Sequence, residues 1–352
     1  MKAAVWHGRK DVRIEEVPEP PFPAPSQVKL EVAYCGICGT DLHEYIAGPI
    51  YIPVDKPHPL TGARAPVILG HEMSGTVVEV GKGVKRLNEG DRVALCPIIG
   101  CLECRWCTSK RMGICPSVAF LGVSWHWGGF ARYVNVYDYM CYHLPTEVTY
   151  EVGALVEPFA STVRAVKRAK ITRGETVAVV GSGPVGIMAV QAARILGAKE
   201  VIALEPAQNR QRMAMECGAT AVIDPLKNPV KEIKNITGDE GVDVVVECAG
   251  LKGTGLLAGH LVKRTGRIIV MGVFEKPAVF DFTDLVYGEK TVIGSMGGFG
   301  EFDEAIRMMA AGQFNGKPLI TGKIGLDEIV CKGFDALISC KEKHAKILVE
   351  PY

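Results

Sequence analysis

The run TVAVVGSGPVGIMAVQAARILGA, residues 176–198, constrains the fold more than any other segment. A fully apolar stretch leads into glycines, and the glycines lead into an apolar helical pattern. Further apolar runs follow at EVIALEP, VDVVVECAG, GRIIVMG and KTVIGS, with the helical pattern NRQRMAMECGA after the first of them. Apolar strands that alternate with helices build a parallel sheet covered on both faces. We therefore predict a doubly wound α/β domain over residues 158–294.

The chain on either side of this domain has a different pattern. Residues 1–157 carry short β-type runs such as VKLEVAYCGICG and DRVALCPI, separated by Gly and Pro turns. That pattern is typical of antiparallel, barrel-like structure. Residues 295–352 return to mixed structure, with a helical pattern at FDEAIRMMAAG and a strand at AKILVEP. The sequence thus predicts three regions: 1–157, 158–294 and 295–352.

Composition excludes several classes of protein. The chain has 352 residues, of which 48% are hydrophobic, and a formal net charge of +1. A nucleic-acid or membrane-surface partner would require a surplus of basic side chains, and we expect neither. No apolar run reaches the roughly 20 residues of a membrane span, and MKAAVWHGRK lacks the apolar core of a signal peptide. We expect a cytoplasmic location, where thiols stay reduced, so the 12 cysteines are expected to be metal ligands and core residues.

Four cysteines are concentrated in the segment GCLECRWCTSKRMGIC. Cys101, Cys104, Cys107 and Cys115 have the spacing C-x2-C-x2-C-x7-C, which lets one loop surround a single Zn²⁺ tetrahedrally. Unrelated thiols are disfavoured because three of the four recur at strict three-residue intervals. Four thiolates would leave no open position for a reactant. We predict a structural zinc lobe over residues 96–116, with Cys96 outside the ligand set.

The glycine-rich turn itself is a candidate cofactor site. Gly181, Gly183 and Gly186 form G-x-G-x-x-G between a strand and a helix, the arrangement that places a pyrophosphate at the helix N-terminus. Such a turn alone is weak evidence, since it also serves as a plain helix cap. Glu205 follows about 20 residues later at the end of the next strand, as the dinucleotide fingerprint requires. A carboxylate there binds ribose hydroxyls and repels a 2′-phosphate, so we predict NAD(H) in preference to NADP(H).

A third group of residues is scattered along the chain. Each has a plain structural explanation: strand thiols, a core histidine or a carboxylate that starts a helix. Together they offer the donors of a catalytic zinc site assembled from several loops. The group comprises Cys35, Cys38, Thr40, Asp41, His43, His71, Glu72 and Glu157.

These motifs, taken in order, resemble the zinc-dependent medium-chain dehydrogenases over essentially the whole chain. CGICGTDLHEY, GHEMSG, the four-cysteine segment, ALVEP, GSGPVG and VECAG carry the resemblance. FDFTDLVYGEKTVIGS and ITGKIGLDEIVCKGFDALI are similar to the butanediol and sorbitol-type branch. The resemblance implies a GroES-like, mostly β catalytic domain joined to a Rossmann domain. It also implies zinc- and NAD-dependent interconversion of a secondary alcohol and a ketone, with two zinc ions per subunit.

The resemblance also assigns zinc ligands. It makes Cys38 and His71 ligands of the catalytic zinc. Glu157 stands where many alcohol dehydrogenases have a third, cysteine ligand, and Glu72 matches a glutamate outside the ligand set that swings in to bind zinc as water exchanges. Which of the two glutamates binds zinc at rest is left open. Cys35 matches no ligand and is expected in the core.

The remaining site residues follow from the same resemblance. Asp41 is expected to be a structural hydrogen-bonding residue. The proton from the substrate hydroxyl would pass through Thr40 and the nicotinamide ribose to His43. The cofactor contacts are expected from Ser161, Gly181, Gly183, Pro184, Val185, Gly186, Glu205, Arg210 and Val273.

The substrate and assembly state are less constrained. The resemblance implies 2,3-butanediol and acetoin, with a polyol, L-threonine or a general secondary alcohol as alternatives, and a homotetramer or homodimer. Trp125 and Trp127 either line the substrate pocket or serve in packing, and His126 is not expected to bind metal. Two other classes of protein are disfavoured. A zinc-free NADPH reductase of the same superfamily would lack the four-cysteine segment. A non-enzymatic zinc protein that binds nucleic acid would need a basic face, which the near-neutral chain does not predict.

Overall fold

The computed structural model describes residues 1–352, which divide into two compact units. The first unit comprises residues 1–157, 299–312 and 320–352, and the second comprises 158–298 and 313–319. Part of the predicted C-terminal region therefore belongs to the second unit. Gln191 explains this, since its side chain donates to the carbonyl of Asn315 at 3.1 Å and accepts from the same residue's N–H at 2.6 Å.

Eighteen strands occur along the chain, and most are short. They are β1 (Lys2–Gly8), β2 (Asp11–Glu16), β3 (Gln27–Gly36), β4 (Val67–Ile68), β5 (Glu72–Val80), β6 (Arg92–Leu95), β7 (Ile98–Ile99), β8 (Ala119–Phe120), β9 (Tyr133–Tyr137), β10 (Cys141–His143), β11 (Thr176–Val180), β12 (Glu200–Leu204), β13 (Ala221–Ile223), β14 (Val242–Glu247), β15 (Val262–Val270), β16 (Thr291–Gly294), β17 (Ile320–Gly325) and β18 (Lys346–Glu350).

Eleven α-helices accompany them, none of which is long and apolar enough to cross a bilayer. They are α1 (Gly39–Ala47), α2 (Arg105–Thr108), α3 (Tyr150–Gly153), α4 (Val156–Arg168), α5 (Pro184–Ile195), α6 (Gln208–Glu216), α7 (Pro229–Thr237), α8 (Thr254–Leu261), α9 (Phe282–Gly288), α10 (Phe302–Ala310) and α11 (Asp335–Ser339). Short 3₁₀ turns at Met112–Ile114, Asp138–Met140 and Leu326–Glu328, and a π-helical segment at Ile329–Phe334, complete the chain.

The first unit is built on a seven-stranded sheet. Its order is β10-β6-β5-β3-β18-β17, and β9 also pairs with β3. Only β17 and β18 run parallel, and the other pairs are antiparallel. The core against this sheet contains Trp6, Phe130 and Phe334, all buried. The predicted antiparallel, mostly β domain is confirmed, and its central strands β3, β5 and β18 carry residues of the candidate site.

The second unit is a six-stranded parallel sheet of order β13-β12-β11-β14-β15-β16. Numbered within the unit, this is the order 3-2-1-4-5-6 of the Rossmann fold. The strands β11, β12 and β14 are almost wholly buried, as their apolar sequences predict. The predicted doubly wound domain is confirmed. The turn after β11, at the point where the strand order reverses, is where such sheets bind ligands.

Candidate functional sites

The four predicted cysteines converge on one point. Cys104 precedes α2, Cys107 lies within that helix, and Cys115 follows the short 3₁₀ turn. All four sulfur atoms lie within 4.8 Å of one another. Cys107 Sγ is 3.6 Å from Cys104 Sγ and 3.9 Å from Cys101 Sγ. Tetrahedral zinc with Zn–S bonds of about 2.3 Å places its sulfurs about 3.8 Å apart, so these residues fit the ion.

The surroundings of the cysteine cluster also suit a cation. Hydrogen bonds from backbone N–H groups, above all from Cys104, lower the pKa of Cys101 to about 7, while burial raises the pKa of Cys107 to about 12. Glu103 is exposed, so no carboxylate from this loop enters the cluster. Cys96 is fully buried and lies outside the group. The cluster can close a metal shell with thiolates alone.

Helix α1 presents the first half of the second candidate site. Cys38 is its N-cap, and the backbone N–H of Cys38 donates to Asp41 Oδ2 at 2.9 Å, half of a capping box. Asp41 is therefore the structural hydrogen-bonding residue that the sequence predicts. Cys38 Sγ lies 3.7 Å from the Thr40 hydroxyl. Thr40 and His43 are three residues apart on the helix, which places them on the same face.

The other end of α1 is anchored by a buried carboxylate. Glu44 is fully buried, and its side chain accepts N–H groups from Ile50 at 3.0 Å and Ile52 at 3.2 Å. Its carbonyl accepts the indole N–H of Trp6 at 3.1 Å. Because both ends of the short helix are tied to the protein, Thr40 and His43 have a fixed position.

His71 brings the third donor to this site. It is buried, and its Nδ1 lies 3.6 Å from Asp41 Oδ1, with no hydrogen bond at either atom. Burial by itself lowers the pKa of His71, but the charges of Asp41, Cys38 and Glu157 raise it well above its usual value. Desolvation in turn raises the pKa of Asp41. Acidic side chains thus gather around one buried imidazole, which is the donor set that a divalent cation would satisfy.

Glu72 and Lys346 form a buried ion pair beside these donors. Glu72 begins β5 and Lys346 begins β18, and they are only 1% and 3% exposed. Lys346 Nζ lies 2.8 and 2.5 Å from the two carboxylate oxygens of Glu72. Burial lowers the pKa of Lys346, but Glu72 and then Cys38 and Glu157 raise it above its usual value. The ammonium is therefore charged and lies close to the candidate ligands.

The sequence reasoning did not single out Lys346. Its only signal is a single charge at the start of the apolar run KILV, which by itself resembles an exposed strand end. Cys35 is fully buried in the core of the sheet, as expected. Glu157 is half-buried in the first turn of α4, and its role as a zinc ligand stays a prediction.

The glycine-rich turn has the backbone geometry that the fingerprint requires. Gly181 has φ of +89°, which only glycine adopts easily, and its N–H donates to the carbonyl of Leu204 at 2.9 Å. Gly183 is the N-cap of α5, and Pro184 occupies its first turn, followed by Val185. A side chain at Gly186 would overlap the Gly181 carbonyl. The free N–H groups at the start of α5 can therefore be approached by an anion.

Glu205 lies directly after β12 and binds back to this turn. Its Oε2 accepts the N–H of Ser182 at 2.8 Å, and its Oε1 accepts the N–H of Ala207 at 3.1 Å. It is buried, so its charge is held by backbone groups at the edge of the sheet. Arg210 Nη1 lies 4.0 Å from the position that a Cβ of Gly183 would take. The turn, the carboxylate and the guanidinium thus occupy one region.

The two predicted nicotinamide contacts lie elsewhere on the second unit. Ser161 is half-buried in α4, with its backbone against Gly298. Val273 follows β15 with its side chain 65% exposed, and its backbone lies against Gly250. The cofactor contacts of both residues stay predictions.

Trp125 and Trp127 pack against the main core of the first unit. The Trp125 ring lies 5.6 Å from that of Tyr137, which stacks on Tyr139 at 5.5 Å. These contacts correspond to the packing alternative, while His126 between the two tryptophans is exposed.

Comparison with known proteins agrees with both folds. Residues 24–146 match the alcohol dehydrogenase GroES-like domain, and residues 184–311 match the zinc-binding dehydrogenase family. The (R,R)-butanediol dehydrogenase of Bacillus subtilis (strain 168) is 43% identical, with 100% of both chains covered.

Solved structures give the same result. The crystal structure of 2R,3R-butanediol dehydrogenase from Bacillus subtilis matches with a TM-score of 0.93 and 42% identity, covering 100% of this chain and 99% of that one. A protein from Sinorhizobium meliloti 1021 whose crystal structure is bound to NADP matches with a TM-score of 0.88 and 31% identity, covering 99% of each chain.

Fold, donor set and relatives together define an oxidoreductase that acts on CH–OH donors. The chain belongs to the zinc-dependent medium-chain dehydrogenases, in the butanediol dehydrogenase branch. The predicted interconversion of a secondary alcohol and a ketone is confirmed at this level.

Proposed function

We propose that the protein interconverts 2,3-butanediol and acetoin with NAD(H) and carries two zinc ions. One zinc would be held by the four-cysteine cluster and the other by Cys38, His71 and a glutamate. The observation that carries the proposal is the meeting of Cys38, Thr40 and the buried His71 around the start of α1. When bound, the second zinc would supply a Lewis acid that favours the ionised form of an alcohol.

Thr40 and His43 are suited to move the proton. As the Thr40 oxygen takes the proton of the substrate alcohol, the Thr40 hydroxyl would release its own proton toward His43, which lies one turn further along the same helix face. Histidine exchanges protons with water near neutral pH, so it can return this proton to solvent. The anchors of α1 at Asp41 and Glu44 keep both side chains in place during this transfer.

Glu205 supports NAD(H) as the cofactor, which would accept or supply the hydride. Its carboxylate is bound into the turn between β11 and α5, where the adenosine ribose would lie. A 2′-phosphate at that position would meet a buried negative charge. The NADP bound to the Sinorhizobium meliloti protein makes cofactor choice a point to measure in this chain.

The substrate proposal rests on the butanediol relatives and on the presence of a second carboxylate, that of Glu157, in this site. Zinc would take one oxygen of a vicinal diol, and Glu157 could accept a hydrogen bond from the other. A site built for two hydroxyls leaves a polar group unsatisfied when a simple alcohol binds. We therefore expect four-carbon vicinal diols to exceed ethanol and sorbitol in kcat/KM by at least about tenfold, the scale of one hydrogen bond.

A panel of ethanol, sorbitol, L-threonine and the separate 2,3-butanediol stereoisomers, assayed with NAD⁺, tests this. One stereoisomer should react much faster than the others because hydride leaves from a fixed face. Equal rates with ethanol and 2,3-butanediol, or a preference for sorbitol or L-threonine, would contradict the butanediol proposal. Such a result would not affect the assignment to the zinc-dependent dehydrogenases.

Assembly through the second unit is also part of the proposal. Strand β16 pairs only with β15, so one of its edges is open, and apolar side chains are exposed around it. Phe282 is 70% exposed, Tyr287 is 73% exposed, and Val292 lies on the strand itself. A second copy of the chain would cover this face. Val292→Lys should reduce the size of the assembly measured by sedimentation, whereas an unchanged size would exclude this face.

A further inference from the structure

A buried carboxylate lies at the carboxyl edge of the parallel sheet in the second unit, and no step of the proposed mechanism uses it. Glu247 is the last residue of β14 and is fully buried. Its Oε1 accepts the backbone N–H of Ala249 at 3.0 Å and that of Gly250 at 2.9 Å, whereas its Oε2 has no hydrogen-bond partner. Because a carboxylate removed from water needs such donors, Glu247 fixes the shape of the loop 248–251.

The backbone of the same residue holds a second loop. The carbonyl of Glu247 accepts the N–H of Met271 at 2.9 Å and that of Gly272 at 3.0 Å, in the loop that follows β15. A Cβ at Gly272 would lie 2.4 Å from Glu247 Oε2 and 2.4 Å from the backbone nitrogen of Gly250. A Cβ at Gly250 would in turn lie 2.5 Å from the carbonyl oxygen of Val273. Glu247 therefore joins two closely packed loops, one after β14 and one after β15.

The place of these loops in the sheet indicates which part of a dinucleotide they would meet. Strand β11, whose turn would bind the pyrophosphate, lies between β12 and β14, and Glu205 on the adenosine side follows β12. A dinucleotide lies across the point where the strand order reverses, with one nucleotide on each side. The half that carries the nicotinamide would therefore lie over the loops after β14 and β15. A Cβ at Gly181 would lie 2.9 Å from the Cβ of Ala249, so the first of these loops also touches the pyrophosphate turn.

We propose that Glu247 is a positioning residue for the nicotinamide half of the cofactor, because its carboxylate and its carbonyl hold both loops in the shape that receives this half. This inference rests on the NAD(H) binding of the proposed function and deepens it. Without the side chain, the N–H groups of Ala249 and Gly250 would lose their acceptor, and the loop would rearrange to satisfy them. The adenosine half, on the other side of β11, would keep its contacts.

The test compares the binding of two probes to the zinc-loaded protein: NADH, which has both halves, and AMP, which has only the adenosine half. In Glu247→Ala the dissociation constant of NADH should rise by at least about tenfold, the scale of one or two hydrogen bonds, while that of AMP should stay within about twofold. Glu247→Gln should stay within about threefold of the native protein for NADH, since one amide oxygen can accept both N–H groups. Val244→Ala, at another buried position of β14, is the matched control and should lower the unfolding temperature without changing either dissociation constant.

Gly272→Ala reaches the same contact from the other loop and decides the matter if Glu247→Ala does not fold. Its methyl group would displace the Glu247 carboxylate, so this variant should also weaken the binding of NADH and leave that of AMP unchanged. Equal losses of affinity for both probes, or no loss for either, in the variants that fold would overturn the inference alone. Native protein that binds neither NADH nor AMP would overturn the NAD(H) proposal and, with it, the inference.

Discussion

The two clusters of metal donors in the first unit are supplied by the chain in different ways. Residues 101–115 provide the whole four-cysteine cluster, and short local turns bring its sulfurs together. The second cluster takes Cys38, His71, Glu72 and Glu157 from separate segments, which the sheet of the first unit and the start of α4 position. The first arrangement depends on local folding, whereas the second depends on the finished fold.

The charged groups around the two clusters also differ. The four cysteines have no carboxylate among them, so a metal there would have a closed shell of thiolates. The second cluster has Asp41 beside His71, two glutamates and one buried ammonium. A closed shell of thiolates suits a structural role, while a set of Cys, His and carboxylate donors suits a site whose ligands and reactants exchange.

The largest expected effect is in the second cluster. His71→Ala should lower kcat/KM by about 10³-fold or more, because the Lewis acid supplies several kcal/mol of stabilisation in the transition state. The variant should lose one zinc by elemental analysis and keep its unfolding temperature within a few degrees. His126→Ala, a change at an exposed histidine, is the matched control and should alter neither property. Normal zinc content in His71→Ala would remove His71 from the ligand set.

The four-cysteine cluster should show the opposite pattern. Cys104→Ser should lose one zinc and about 4 kcal/mol of stability, since loss of a structural metal is among the most destabilising changes. For a chain of 352 residues that corresponds to a fall of about 5 °C in the unfolding midpoint, measured by calorimetry. At temperatures where the variant is still folded, it should keep its catalytic activity. Cys331→Ser, at an exposed thiol, should be neutral. A stable Cys104→Ser variant with a full metal complement would contradict the structural role.

A substitution beside the cofactor turn should have a smaller effect on activity, and this effect does not involve a metal. Glu205→Gln should shift the ratio of kcat/KM for NAD⁺ over that for NADP⁺ by about 10- to 100-fold toward NADP⁺, as one charged hydrogen-bond acceptor is lost. Glu216→Gln, at an exposed carboxylate on α6, is the control. Native protein that prefers NADP⁺ would contradict the assignment of Glu205.

The smallest expected effect separates a proton carrier from a metal ligand. His43→Ala should keep both zinc ions and lower the rate of alcohol oxidation by about tenfold, at the low end of general acid–base contributions because water can replace the histidine. Small imidazole bases added to the assay should restore part of the rate. Loss of zinc in this variant would instead place His43 among the ligands.

The fold could be predicted from sequence because its signals are local. Short stretches of sequence are enough to recognise the apolar runs that form β11, β12 and β14 and the glycines of the turn. The division of the C-terminal region between the two units could not be predicted from local sequence. It depends on contacts such as Gln191 with Asn315, which join positions far apart in the sequence.

The sequence by itself determined the two folds, the four-cysteine cluster and the candidates Cys38, His71, Glu72 and Glu157. Spacing, periodicity and resemblance carry that information because each can be expressed over short stretches of chain. Only the tertiary structure decided what surrounds the candidates. Lys346 is 274 residues from Glu72, and the two meet because β18 and β5 flank β3 in the sheet. Electrostatic interactions of this kind depend on distance in space and on burial, and neither is written in the local sequence.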